Sequence, residues 1–117
     1  MITSYQHILE NAYDAFNRRD TDSVLILMAE NVHWPNGWEG GYVEGKDAVK
    51  AYWQRQWQVI DPIVSPTSYK EIQPGKVAVM VHQVVKDRDG NLLSDGFVRH
   101  IYFFENELIL KMEIAQA

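Results

Sequence analysis

Lys76-Val77-Ala78-Val79-Met80-Val81-His82-Gln83-Val84-Val85-Lys86 is followed by Asp87-Arg88-Asp89-Gly90-Asn91 and then by Leu92-Leu93-Ser94-Asp95-Gly96-Phe97-Val98-Arg99-His100-Ile101-Tyr102-Phe103-Phe104-Glu105. β-Branched and aromatic residues dominate both runs, which fits strands. Asp89-Gly90 between them is a hairpin signal, because a tight turn needs residues that tolerate positive φ. Neither run alternates cleanly between apolar and polar residues, as a half-solvated antiparallel strand should. In the first run Val77, Val79, Val81, Gln83 and Val85 share one face, and Ala78, Met80, His82 and Val84 the other. In the second, Phe97, Arg99, Ile101 and Phe103 lie opposite Val98, His100, Tyr102 and Phe104. Both faces of this ribbon need cover. Helices can supply it on one side. The other is too apolar to leave in water, which predicts a homodimer packed through the back of the sheet.

Outward from the hairpin, residues 108–114 read as a further strand. There Lys111 and Glu113 alternate with Leu110 and Met112, so it lies nearer water. Residues 67–73 form the strand before the hairpin, ending at the turn Pro74-Gly75. Pro62 and Pro66 fit an edge strand or its approach, since proline cannot donate to a ladder. Gly96 suggests a bulge.

Toward the N-terminus the period becomes helical. Tyr5, Ile8, Leu9, Ala12 and Phe16 share one face of a helix starting near Ser4, where Thr3 and Gln6 have capping-box spacing. Asn17-Arg18-Arg19-Asp20 breaks that helix. Asp20 can cap a second one carrying Val24, Leu25, Leu27 and Met28. Residues 32–34 form a short strand stopped at Pro35, and Gly45 leads into a third helix. Helices segregated to one side of an antiparallel meander make a single α+β domain over residues 1–117.

Composition excludes several classes of function. The chain has 117 residues, 46% of them hydrophobic, which is enough for a core. A net charge of −5 without any basic stripe argues against nucleic acid. With no cysteine there is no disulfide, thiolate nucleophile or sulfur-ligated metal. No signal-peptide pattern and no membrane-length apolar run are present, so the expectation is a soluble cytoplasmic protein without a membrane partner.

The stretch from His33 to Val49 is rich in glycine and aromatic residues and runs directly into the helix carrying Tyr52, Trp53 and Trp57. Such a segment can wall one side of a pocket. Its glycines have no phosphate-binding spacing and read as turn residues.

The order of elements, with Ala15-Phe16-Asn17-Arg18-Arg19-Asp20, Ala29-Glu30-Asn31-Val32 and Gly45-Lys46-Asp47-Ala48-Val49-Lys50-Ala51-Tyr52-Trp53, resembles the nuclear transport factor 2-like superfamily. Within it, the chain is similar to SnoaL-like and ketosteroid isomerase-like proteins. The resemblance implies a cone-shaped, cystatin-like fold. Three N-terminal helices would pack on a curved mixed, mainly antiparallel sheet enclosing a pocket. It implies a small, largely apolar cyclic or carbonyl-bearing ligand and, if there is catalysis, cofactor-free acid/base chemistry of isomerase, cyclase, dehydratase or epoxide hydrolase type. Fold alone carries no activity, and a non-catalytic binding or dimerisation module is the alternative. Ketosteroid isomerase itself needs a carboxylate base before the strand-ending proline, a tyrosine on the first helix and a protonated acid late in the sheet. Here those positions hold Trp34, Ala12 (with Tyr13 adjacent) and Arg99. A shifted gap puts Asn36 at the base position, and an amide cannot abstract a proton.

The resemblance points Arg99 into the cone beside Phe97, Ile101 and Phe103. A guanidinium there needs Asp61, Asp95 or an anionic or carbonyl-bearing ligand as partner; the alternative is a structural ion pair or a dimer-face arginine. His82 and His33 are candidate bases, against a hydrogen-bonded sheet histidine for the first and a strand-edge histidine in water for the second. Parity with Arg99 puts His100 on the back face, in the dimer packing. A metal held by the two sheet histidines and Asp95 is weakly supported by spacing, and no metal is expected. Tyr13, Trp34, Asn36, Trp38, Tyr52, Trp53, Trp57, Gln83 and Phe97 are candidate ligand contacts; for most of the aromatics, simple core packing is the competing role.

Overall fold

Helix α1 (Thr3–Asn17) stops where Arg19 turns left-handed, at φ 63°. Asn17, its last residue, then pins the helix to the sheet. Its amide donates to the Val64 carbonyl at 2.8 Å, and its side-chain oxygen accepts from the Val64 N–H at 3.0 Å. Those are edge-strand backbone groups that would otherwise lack partners. Asp20 caps α2 (Thr21–Leu25), its carboxylate accepting from the Ser23 N–H. Arg19 lies over the Trp57 ring at 5.0 Å and pairs with Asp61. The Ala15–Asp20 stretch is therefore a junction that fixes α1 against the sheet.

A computed structural model describes residues 3–37 and 40–117, with side chains from Tyr5 onward. The remaining elements are β1 (Met28–Pro35), β2 (Tyr42–Glu44), α3 (Lys46–Val59), β3 (Ile60–Gln73), β4 (Lys76–Asp87), β5 (Leu92–Glu105) and β6 (Leu108–Gln116). They build one six-stranded sheet in the order β2-β1-β6-β5-β4-β3. Only β1 and β6 run parallel; the other neighbours are antiparallel. This is the α+β, mainly antiparallel architecture expected, with helices packed on the sheet.

β2 lies within what the sequence reads as a glycine-rich excursion, and β6 runs two residues past 114; other boundaries differ as well. Met28 opens β1 instead of closing α2, because a strand there pairs with β6. β3 starts at Ile60, not at Thr67, and carries Pro62 and Pro66 within it; as the outermost strand it has one side free of ladder bonds. The bulge falls where Val85 pairs with Ser94 and Lys86 with Leu92, leaving Leu93 as the extra residue. Gly96 stays in register opposite Gln83. The Thr3 capping interaction lies outside the described side chains.

The register decides the two faces. Val77, Val79, Val81 and Gln83 pair with Tyr102, His100, Val98 and Gly96, and this set faces the helices. Val77, Val79 and Val81 are fully buried there with Leu9, Val49, Trp53 and Ile109. Met80 and His82 pair with Arg99 and Phe97 on the outer face.

Candidate functional site

Between the helices and the inner face of the sheet lies a cavity of about 400 Å³. Its volume is that of a small-molecule site. α1 contributes Tyr13 and Phe16, β1 contributes Trp34, and α3 contributes Tyr52, Trp53 and Gln56. Trp53 meets Trp34 edge-on at 5.5 Å and Phe16 at 5.2 Å, so the aromatic wall is locked by ring-on-ring packing. The sheet supplies Gln83, Val98, His100 and Tyr102. Among the described residues, no Asp, Glu, Lys or Arg lines it.

One polar chain crosses this wall. The Tyr102 hydroxyl donates to the Tyr13 hydroxyl at 2.9 Å, and the Tyr13 oxygen lies 2.8 Å from His100 Nδ1. Because Tyr102 donates to Tyr13, the Tyr13 proton is free to go to Nδ1. That donation selects the tautomer with the imidazole proton on Nε2, the ring nitrogen outside the tyrosine chain. Successive donation polarises each bond in turn, which makes that Nε2–H a stronger donor. Burial lowers the His100 pKa to about 4, so the ring is neutral at physiological pH. Burial also raises both tyrosines, Tyr13 well above its ordinary value, so neither ionises. The arrangement offers a neutral, preorganised hydrogen-bond donor in an apolar chamber.

Of the candidate residues, Tyr13, Trp34, Tyr52, Trp53 and Gln83 line the cavity. Trp57 does not; it packs behind the wall against Phe16 and Trp53. Asn36 is buried in the loop after β1, its backbone bonded to Gly40 and Gly41. Trp38 lies outside the described residues. His33 stacks on Tyr42 at 4.3 Å and lies 3.7 Å from Glu44, on the surface of the β1–β2 ribbon.

Arg99, His82 and Phe97 are corrections. All three sit on the outer face, away from the cavity. Arg99 lies opposite Met80 and Ala115, and neither expected carboxylate reaches it: Asp61 pairs with Arg19, and Asp95 with His82 at 2.6 Å. Phe97 stacks on His82 and is 54% exposed. His82 and His100 project from opposite faces, so they cannot share a metal. No group of three metal-ligating side chains occurs among the described residues.

His100 and Tyr102 are the residues that sequence reasoning missed. The alternation holds, but on β5 the inner and outer faces are the reverse of those expected. Both are apolar, so hydrophobicity does not tell them apart. The bulge does: the turn closes with Lys86 opposite Leu92, and the extra residue Leu93 shifts the pairing by one, so that Val79 meets His100 and Val81 meets Val98. That register places His100 on the all-valine face, which is the core.

The SnoaL-like domain model matches residues 9–111. The chain belongs to the SnoaL-like domain family. Solved structures agree in fold. An NTF2-like protein of unknown function from Burkholderia pseudomallei is 23% identical, with TM-score 0.85, over 97% of this chain and 91% of that one. A Mycobacterium tuberculosis protein in complex with estradiol-17beta-hemisuccinate is 18% identical, with TM-score 0.81, over 95% and 92%. A putative polyketide cyclase from Sinorhizobium meliloti is 19% identical, with TM-score 0.76, over 92% and 93%. None of the curated proteins matches the sequence. Among the described residues of this SnoaL-like protein, no helix is long and apolar enough to cross a membrane.

Proposed function

We propose that this SnoaL-like protein binds a neutral, largely apolar, ring-containing molecule through a carbonyl oxygen that accepts from His100 Nε2–H. The observation carrying this reading is a 400 Å³ aromatic cavity, lined among the described residues by no ionisable acid or base other than a neutral histidine and three tyrosines, whose buried polar pole is the Tyr102–Tyr13–His100 chain. An anionic ligand would meet no counter-charge there. Ligand-bound relatives of the same fold, such as the estradiol-17beta-hemisuccinate complex, support a small-molecule role. A donor aimed at a carbonyl also stabilises the oxyanion of an enolate, so the chemistry supported is cofactor-free isomerisation, cyclisation or dehydration. A purely binding role has its own support: among the described residues no carboxylate lines the cavity, and His100, with its pKa near 4, is a weak base.

Tryptophan fluorescence titration with neutral polycyclic ketones tests the reading. Binding by the wild type with at least tenfold loss in His100→Leu is expected; equal affinity in the two proteins would overturn it. Mass-spectrometric uptake of solvent deuterium next to the carbonyl separates catalysis from binding alone.

The homodimer belongs to the same proposal. Ile63 and Phe97 are exposed on the outer face, among half-buried Met80, Val84 and Ile101. A second copy seated on this strip would cover it. Solution scattering should give twice the monomer mass, and Phe97→Glu should return the monomer. A wild-type monomer at micromolar concentration would remove this part of the reading.

A further inference from the structure

Two glutamines face the cavity, and their situations differ. The Gln56 amide donates to the Tyr52 hydroxyl at 3.2 Å. The Gln83 side chain makes no hydrogen bond to any described residue, although it lies on the inner face among Val64, Val81 and Val85. The residue directly across from it is Gly96, where an added Cβ would meet nothing within 4 Å. Gln83 therefore has open space in front of it and no internal partner. An amide half withdrawn from water without a partner loses hydration that only a ligand or a water can replace.

We propose that Gln83 is a second anchor that selects ligands by length. This rests on the reading of His100 as the first anchor. Val79 is the residue opposite His100, and Gln83 lies four positions farther along β4. At strand rise, that separation is roughly 13 Å. Allowing for the reach of each hydrogen bond, the two anchors fit oxygens roughly 8–13 Å apart on one rigid scaffold. The substrate class is thus a neutral fused-ring molecule with an oxygen at each end. The inner oxygen accepts from His100, and the outer one accepts from the Gln83 amide. The apolar stretch of wall between the two poles takes the rings. A molecule with only one oxygen leaves one pole unpaired and binds more weakly, because a buried polar group without a partner is costly.

Three ketones separate the terms: androstane-3,17-dione, androstan-3-one and androstan-17-one, each titrated against the full chain by tryptophan fluorescence. The wild type should bind the dione about five- to tenfold more tightly than either monoketone, the increment of one neutral hydrogen bond. Gln83→Leu should erase that preference and leave the tighter monoketone within twofold. Gln83→Glu keeps the size but replaces the amide donor with a carboxylate, and should weaken the dione at least as much. Dione affinity unchanged in both variants but lost in His100→Leu would overturn the length anchor and leave the His100 reading intact. No binding of any ketone by the wild type would overturn both.

Discussion

His100 and His82 sit on neighbouring strands of one hairpin, and the sheet between them gives them opposite chemistry. His100 faces inward, 6% exposed, held by a neutral tyrosine chain and kept uncharged by burial. His82 faces outward, half in water, with its Nε2 on the Asp95 carboxylate. The inner ring is a donor waiting for a neutral acceptor. The outer ring is one half of a surface hydrogen-bonded pair. Residue type alone does not separate a site histidine from a structural one; the face does, and strand register sets the face.

The contrast breaks most visibly under acid. The folded pKa of His100 is about 4, against an ordinary 6.5, so between those values the unfolded chain binds the extra proton. Stability is therefore lost as pH falls through that window, by about 3 kcal/mol in total. Urea titrations of wild type and His100→Leu across pH 4–7 should differ by that slope. Parallel curves would mean that His100 already titrates normally.

Next in size is Tyr13→Phe. It strands the Tyr102 hydroxyl and His100 Nδ1 together, at a cost of roughly 1–3 kcal/mol in chemical denaturation. It also frees the His100 tautomer, so ketone affinity should fall. Tyr102→Phe removes only the outermost donor of the chain and should cost about 1 kcal/mol. If Tyr102→Phe costs as much as Tyr13→Phe, the chain does not run in the order described.

The smallest effect belongs to the outer face. Asp95→Asn leaves a half-exposed imidazole in water and should cost under about 1 kcal/mol, with ketone affinity unchanged. A larger loss of affinity would show that the outer pair reaches the cavity, contrary to the topology.

Much of the fold was legible because local rules agreed with one another. Asn17 to Asp20 signalled a helix break and cap, Asp89-Gly90 a hairpin, and Pro62 and Pro66 an edge strand, and each stands where its physics requires. The parallel pairing of β1 with β6 was not legible, since it joins segments some eighty residues apart and leaves no local mark. The site was half legible. Trp34, Tyr52 and Trp53 line the cavity as expected, because aromatic bulk near a glycine-rich excursion implies a wall; Tyr13 from α1 and Gln83 from β4 line it too. A two-sided apolar strand carries no inward mark, so nothing local on β5 tells Arg99 from His100 as the inward residue. The bulge at Leu93, expected instead at Gly96, is what sets His100 on the inner face.

The most direct test of the central claim is the protonation of His100 itself. In 15N-labelled protein, long-range proton–nitrogen correlation spectra read the tautomer and titration of each histidine ring. The account predicts that His100 is neutral at pH 7, carries its proton on Nε2 and titrates near pH 4. A His100 that titrates near 6.5, or carries its proton on Nδ1 at neutral pH, would contradict it.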